Sequence, residues 1–180
     1  MVLSHFDPFN NRLARDIRNT LSKAFLHAIK DRDAAIFQRC AADYQRQNFE
    51  PVYEKYINER LKKYEKVFAI IKKEEPQNIL KQAAIFWDYE LYFEMHELLE
   101  PDWMMAKGDR RKALQGLIRA AGMKIHAESG NLKAAVSMGS KAQADLAKYG
   151  GELAGFARLK DIESDIRRTL AAARNNLRQV

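Results

Sequence analysis

The sequence predicts an all-α fold, an antiparallel helical bundle or array of about six to seven helices. Apolar residues recur every three or four positions along most of the 180-residue chain. The four prolines, at positions 8, 51, 76 and 101, read as breaks between long helical stretches, and no glycine occurs before Gly108. No segment alternates apolar and polar residues for long enough to predict a strand.

The N-terminal part of the chain predicts three helices. Asp7-Pro8 has the pattern of an N-cap followed by a first helical residue, and an apolar stripe beginning at Phe9 follows it. A second helix is expected over residues 33–47, and a third of about 25 residues after Pro51. We interpret residues 1–75 as an N-terminal helical extension.

The remaining residues, 76–180, predict a helical domain. A short helix ending at Phe86 is expected first, followed by a turn near Asp88. The helices that follow are expected over residues 89–100, over 110–128, up to Lys148 and over 159–176.

Composition and charge narrow the classes of protein to consider. One cysteine, Cys40, cannot form an intramolecular disulfide, and its helical neighbours predict a buried, inert thiol. The first ten residues lack a signal-peptide pattern, and no apolar run approaches the roughly 20 residues of a membrane span, so we expect a cytoplasmic protein.

The net charge of +7 divides into +3 for residues 1–47, −3 for residues 48–110 and +7 for residues 111–180. The basic end suggests either an anionic partner or an acidic helix lying against it.

One stretch of about 60 residues carries a recognisable order of motifs. It begins with an aromatic residue, then Glu94, the pair His96-Glu97, Glu100 and Trp103. It continues with Leu114-Gln115-Gly116-Leu117-Ile118, Ala120-Ala121, His126, Gly130-Asn131 and Ala134-Ala135. This ordered set resembles the bacterial and archaeal domain-of-unknown-function family 309. The resemblance implies a small helical domain without an established activity. Asp88-Tyr89-Glu90 replaces the family's usual Asn-x-Gly turn, and Pro101 stands between the last glutamate and Trp103.

The polar residues of this stretch predict a candidate site. His96 and Glu100 are one helical turn apart at the rim of the expected apolar face, whereas Glu90, Glu94 and Glu97 are expected on a solvated face. Gln115, Arg119 and His126 form a second polar stripe, which would meet the first if the two helices packed antiparallel.

Three interpretations of these residues stay open. His96 and Glu100 are satisfied structural groups in the first, with Gln115 or Arg119 as hydrogen-bond partners. In the second, His96, Glu100 and His126 hold zinc, manganese or iron, with Glu97 as general base. The third is a small-ligand or anion pocket with Arg119 as the binding group, His96 as a titrating group and Trp103 over the site.

Several catalytic motifs are excluded. His96-Glu97 is not a zinc-protease motif, because the second histidine of that motif would stand at position 100, which holds glutamate. The chain also lacks a phosphate-binding glycine loop and a Gly-x-Ser-x-Gly turn.

The sequence therefore favours a non-enzymatic binding or interaction module that forms a homodimer. A small metal-dependent hydrolase is the alternative. A weaker alternative is an anion or nucleic-acid binder that uses the basic last helix, in which Asp161, Glu163 and Asp165 interrupt the run of cations.

Overall fold

The computed structural model describes residues 5–76 and 78–178, and within these residues it contains α-helices and no strand. The predicted all-α fold is confirmed. The described helices are α1 (Arg12–Asp31), α2 (Ala35–Gln45), α3 (Pro51–Glu74), α4 (Ile79–Asp88), α5 (Tyr92–Met105), α6 (Gly108–Glu128), α7 (Leu132–Tyr149), a 3-10 helix (Gly150–Glu152) and α8 (Leu159–Arg178). None of them is long and apolar enough to cross a bilayer.

The chain divides into two compact units, residues 1–76 and residues 77–180. In the first unit α1, α2 and α3 pack against one another around an aromatic core. The Phe25 ring stacks on Tyr64 with centroids 4.1 Å apart, and Phe37 meets both rings edge-on. All three side chains are fully buried, so this unit has an apolar core of its own.

The second unit is built around α6, which packs against α5, α7 and α8. The approach of α6 to α7 is close because glycines take the place of side chains at the contact. A Cβ atom on Gly116 would lie 2.8 Å from Leu146 Cδ2, and one on Gly122 would lie 2.7 Å from Met138 Sδ. These contacts make α6 and α7 antiparallel neighbours.

Helix α1 begins later than the Asp7-Pro8 pattern predicts. The Asp7 carboxylate accepts hydrogen bonds from the backbone N–H groups of Phe9 and Asn10, and so closes a turn before the helix. Asn11 is the actual N-cap, since its Oδ1 accepts the N–H of Ala14 at 2.8 Å. The predicted start at Pro8 was therefore wrong by four residues.

Helix α5 differs from its predicted range of 89–100 at both ends. Tyr89 and Glu90 form a turn, in which Glu90 adopts a left-handed conformation with φ of 56°. The helix then starts at Tyr92 and continues through Pro101 to Met105. Because proline lacks an N–H group, Pro101 removes the hydrogen bond that the Glu97 carbonyl would accept in a regular helix.

Candidate functional site

Helix α5 carries the site residues on the side opposite its buried face. Tyr92, Met95 and Leu99 are buried, as predicted. His96, Glu97 and Glu100 are half-buried and are spaced within five residues, so they lie within two successive turns.

Donor atoms of His96, Glu97 and Glu100 all lie within 4.8 Å of one another. One of these contacts joins His96 Nδ1 and Glu97 Oε1 at 3.3 Å, with 32% and 39% of the two side chains exposed. The Phe93 ring lies parallel to the His96 imidazole, with an angle of 3° between the planes and 6.5 Å between the centroids. One imidazole nitrogen and two carboxylates are thus held together at a surface that solvent reaches.

This group is not the triad predicted from the sequence. Glu97, predicted as a general base, supplies the third donor atom of the group that contains His96 and Glu100. His126 lies in the last turn of α6, half-buried and in contact with other groups, and it is not a member of this group. The prediction of His126 as the third ligand depended on how α5 and α6 face each other, which the spacing of residues alone does not determine.

The polar stripe of α6 faces α7. The Arg119 guanidinium forms an ion pair and hydrogen bond with Asp145 of α7. Gly122, on the same stripe, lies against Met138 of α7. Gln115, one turn before Arg119, is half-buried. Arg119 was expected to meet His96 and Glu100 of α5. Its ion-pair partner belongs to α7 instead.

Trp103 lies on the same side of α5 as His96 and Glu100, seven residues after the first and three residues after the second. The guanidinium of Arg111 stands 4.6 Å from the centroid of the Trp103 ring, within the range of a cation–π interaction. The indole N–H of Trp103 is buried and has no acceptor in the part of the chain that the structure describes. This side of α5 therefore carries a buried indole donor that no acceptor among the described residues satisfies.

Glu94 corrects another expectation. It was predicted on a solvated face with Glu90 and Glu97, but its side chain is 0% exposed and is engaged in contacts within the structure. The apolar residues of α5 predict a narrow buried face. The neighbouring helices cover a wider face, which includes Glu94. Glu94 is a buried structural carboxylate one turn before the site.

A second polar cluster, which the sequence reasoning missed, lies where α4, α5, α6 and α8 meet. The Trp87 indole donates a hydrogen bond of 3.0 Å to Asp165 Oδ2, and its ring meets Tyr92 edge-on. Lys124 Nζ lies 5.9 Å from the Trp87 centroid and 5.3 Å from the Tyr92 centroid. Burial, followed by nearby carboxylates, raises the pKa of Tyr92 well above its usual range. Four residues from four helices are involved, so no local spacing could have indicated the cluster.

In the first unit, a groove of about 610 Å³ lies between α1 and α2. Lys23, His27, Arg39 and Cys40 are among its lining residues. Burial, together with the Asp43 carboxylate, raises the pKa of the Cys40 thiol, so the thiol is less reactive than a free cysteine. His27 pairs with Asp31 at 2.9 Å, without a third metal-ligating side chain nearby among the described residues.

Comparison with known protein families gives a match over part of the chain. Residues 80–138, about a third of the chain, match the family described as domain of unknown function (DUF309). The matched range runs from α4 into α7 and includes the whole of α5 with His96, Glu97 and Glu100. No curated protein and no solved structure shows a significant match to the chain. The resemblance predicted from the order of motifs is confirmed: residues 80–138 of this protein are a DUF309 domain.

Proposed function

We propose that this protein is a helical binding module whose DUF309 domain binds a divalent transition-metal ion through His96, Glu97 and Glu100. The observation that carries the proposal is the convergence of one imidazole nitrogen and two carboxylates within 4.8 Å on a half-buried helix face. Among the described residues it is the only group of three such side chains at this spacing.

The donor set suits zinc, manganese or iron. Ligand atoms about 2.0–2.2 Å from a metal lie roughly 3–4 Å from one another, so modest rotations of these surface side chains would complete the coordination. Three protein ligands leave at least one position open for water or a small ligand.

The open position also supports the second candidate function, a metal-dependent hydrolase. In that case the metal would lower the pKa of a bound water molecule and so generate a nucleophile. Glu97 cannot serve as metal ligand and general base at once. The hydrolase therefore requires His96 and Glu100 to hold the metal while Glu97 accepts the proton from the water.

The homodimer also remains a proposal, and exposed apolar side chains support it. Met104 and Met105 at the end of α5 are 58% and 83% exposed, and Met104 follows Glu100 by one turn. We propose that a second copy of the chain covers these methionines. Light scattering of the wild type and of a Met104→Ser/Met105→Ser variant tests this. A dimer in the first sample and a monomer in the second are expected, whereas equal masses would contradict the proposal.

The metal site is tested by elemental analysis of untagged protein, purified without chelators, beside three single variants. Wild type is expected to contain nearly one equivalent of zinc, manganese or iron, and His96→Ala is expected to lose it. His27→Ala is the matched control, because His27 also pairs with a carboxylate but lacks further ligands, and it should keep the metal. His126→Ala should keep it as well, since His126 is not part of the group.

Two results would overturn the metal site. One is a wild-type protein without metal that also fails to bind added zinc, manganese or ferrous iron in calorimetry. The other is a His96→Ala protein with the same metal content as wild type. If the metal is present, a screen of ester, amide and phosphate substrates then separates the hydrolase from the binding module.

A further inference from the structure

The outer surface of α7 and the adjoining side of α8 form a face rich in cations. Gly139 of α7 lies against Leu170 of α8, and Gly150 at the end of α7 lies against Leu159. These contacts make the two helices antiparallel and set their register. The register places six exposed cations in three successive pairs: Lys148 with Lys160, Lys141 with Arg167, and Lys133 with Arg174. We call these six residues the cationic face.

The pairs are regularly spaced. Successive members on each helix are seven or eight residues apart, which corresponds to about 10–12 Å along a helix, so the face is about 21 Å long. Arg174 donates a hydrogen bond of 3.1 Å to Ser140 Oγ of α7, which shows that the cations of α8 lie on the side nearest α7. None of the six forms an ion pair within the described residues.

The acidic residues that interrupt the basic run in the sequence mostly lie elsewhere. Asp161 pairs with Arg158, and Asp165 pairs with Arg168 and accepts the Trp87 N–H, on the other flank of α8. Asp145, the only acid of α7, pairs with Arg119 of α6. Glu163, which is half-buried, is the one acid of these two helices left on the flank with the cations. Asp109 of α6 acts electrostatically on Lys148 at one end of the face, and the other five cations present a nearly uniform positive charge.

We propose that the cationic face binds the phosphate backbone of duplex nucleic acid, without reading its sequence. Cations repeated along two parallel rows complement a rigid polyanion that carries one charge per about 1.7 Å of its axis. Between the cations stand the small side chains of Ser137, Ser140, Ala144 and Ala171, which let a backbone approach closely. One aromatic ring, that of Tyr149, lies at the end of the face, 5.1 Å from Lys148 Nζ, so the face lacks the series of rings on which successive unpaired bases would stack. It also has no exposed large apolar side chain to insert into a membrane, because among the described residues those are Leu13, Met104 and Met105.

Fluorescence anisotropy of the full chain with labelled DNA and RNA duplexes of about 20 base pairs measures the binding and its salt dependence. We expect a Kd of about 1–100 µM near physiological salt, and a slope of log K against log salt of about −5 if all six cations contact phosphates. Preference for one duplex identifies the natural source of the phosphate backbone, and binding to either supports the proposal.

The decisive comparison uses two variants of equal net charge. Lys133→Glu/Lys141→Glu/Arg167→Glu reverses three members of the face that make no hydrogen bond or ion pair within the described residues. Lys62→Glu/Lys66→Glu/Lys72→Glu changes the charge equally on exposed positions of α3. The first variant should bind more than about tenfold more weakly, with a slope shallower by about 3, while the second should bind nearly like wild type.

Two outcomes would overturn the proposal. Equal loss of binding in both variants would mean that net charge alone attracts the duplex. Binding to vesicles of phosphatidylglycerol and phosphatidylcholine, with no binding to either duplex, would assign the face to a membrane surface instead. Helical content measured by circular dichroism shows that each variant is folded before its binding is compared.

Discussion

Gly139 stands where α7 contacts both α6 and α8, and its replacement by alanine tests how closely these helices pack. A Cβ atom at this position would lie 2.6 Å from Met123 Sδ of α6 and 2.8 Å from Leu170 Cδ2 of α8. Both neighbours are buried, at 0% and 3% exposure, and they approach from different helices. The added methyl group therefore has no direction in which to move without displacing a buried side chain.

Two opposing effects determine the change in the free energy of unfolding. Alanine is favoured over glycine inside a helix by about 1 kcal/mol. Overpacking a filled core costs about 1–3 kcal/mol, and the two buried neighbours place Gly139→Ala in the upper part of this range. We expect a net destabilisation of about 1–2 kcal/mol.

Gly122→Ala is the matched control. Its Cβ atom would meet only Met138, which is half-buried and whose flexible side chain can move aside. The helix preference of alanine should then prevail, so this variant should be as stable as wild type or more stable by up to about 1 kcal/mol.

Equilibrium urea denaturation followed by tryptophan fluorescence measures both variants. The two tryptophans, Trp87 and Trp103, lie in the unit of residues 77–180, so the signal reports the unfolding of that unit. Thermal midpoints provide a second measure, since 1 kcal/mol corresponds to about 4–8 °C for a domain of this size. A Gly139→Ala protein as stable as Gly122→Ala would refute the close three-helix contact described for α7.

Two further predictions concern Asp165 and Glu90. Burial raises the pKa of Asp165, but the hydrogen bonds from Arg168 and Trp87, together with the positive charges of Lys124 and Arg168, outweigh this effect and lower the pKa below its usual value. Asp165 thus stabilises the fold above the unfolded-state pKa of about 4, and its contribution is lost as pH falls through the lowered native pKa. Asp165→Asn should therefore lower the urea midpoint at pH 7, with a difference that shrinks below about pH 4; a difference that stays constant down to pH 3 would contradict this. Glu90→Gly should raise the stability by about 0.5–1 kcal/mol, because glycine adopts the left-handed conformation at φ of 56° without strain; a lower thermal midpoint would show that contacts of the Glu90 side chain outweigh that strain.

Sequence patterns predicted the helices well where the pattern involves only residues within one helical turn. Pro51 and the apolar stripe that follows it in the sequence indicate the start of α3, and the helix does begin at Pro51. The Asp7-Pro8 pattern failed because an aspartate can cap a turn as readily as a helix, and Asn11 competes for the same role. The family resemblance came from the order of several motifs and needed no packing information.

Side chains whose environment depends on a neighbouring helix could not be placed from the sequence. Arg119 finds its partner in Asp145, twenty-six residues away, and this pairing follows from the close approach of α6 to α7. Glu94 is buried because neighbouring helices cover more of α5 than its apolar residues indicate. His96 and Glu100 were correctly placed together because both belong to the same helix.

The proline inside α5 has a consequence for the oxygen atoms around the candidate metal site. Without an N–H at position 101, the main-chain carbonyl of Glu97 has no donor from the following turn. Glu97 thus has two kinds of acceptor oxygen, the carboxylate and a main-chain carbonyl with spare lone pairs, and the carbonyl is left to accept a hydrogen bond from water. Any other residue at position 101 would bring back an amide hydrogen and occupy that carbonyl. Pro101, which is not itself a candidate ligand, would in this way leave one more acceptor oxygen on the helix that carries the proposed metal site.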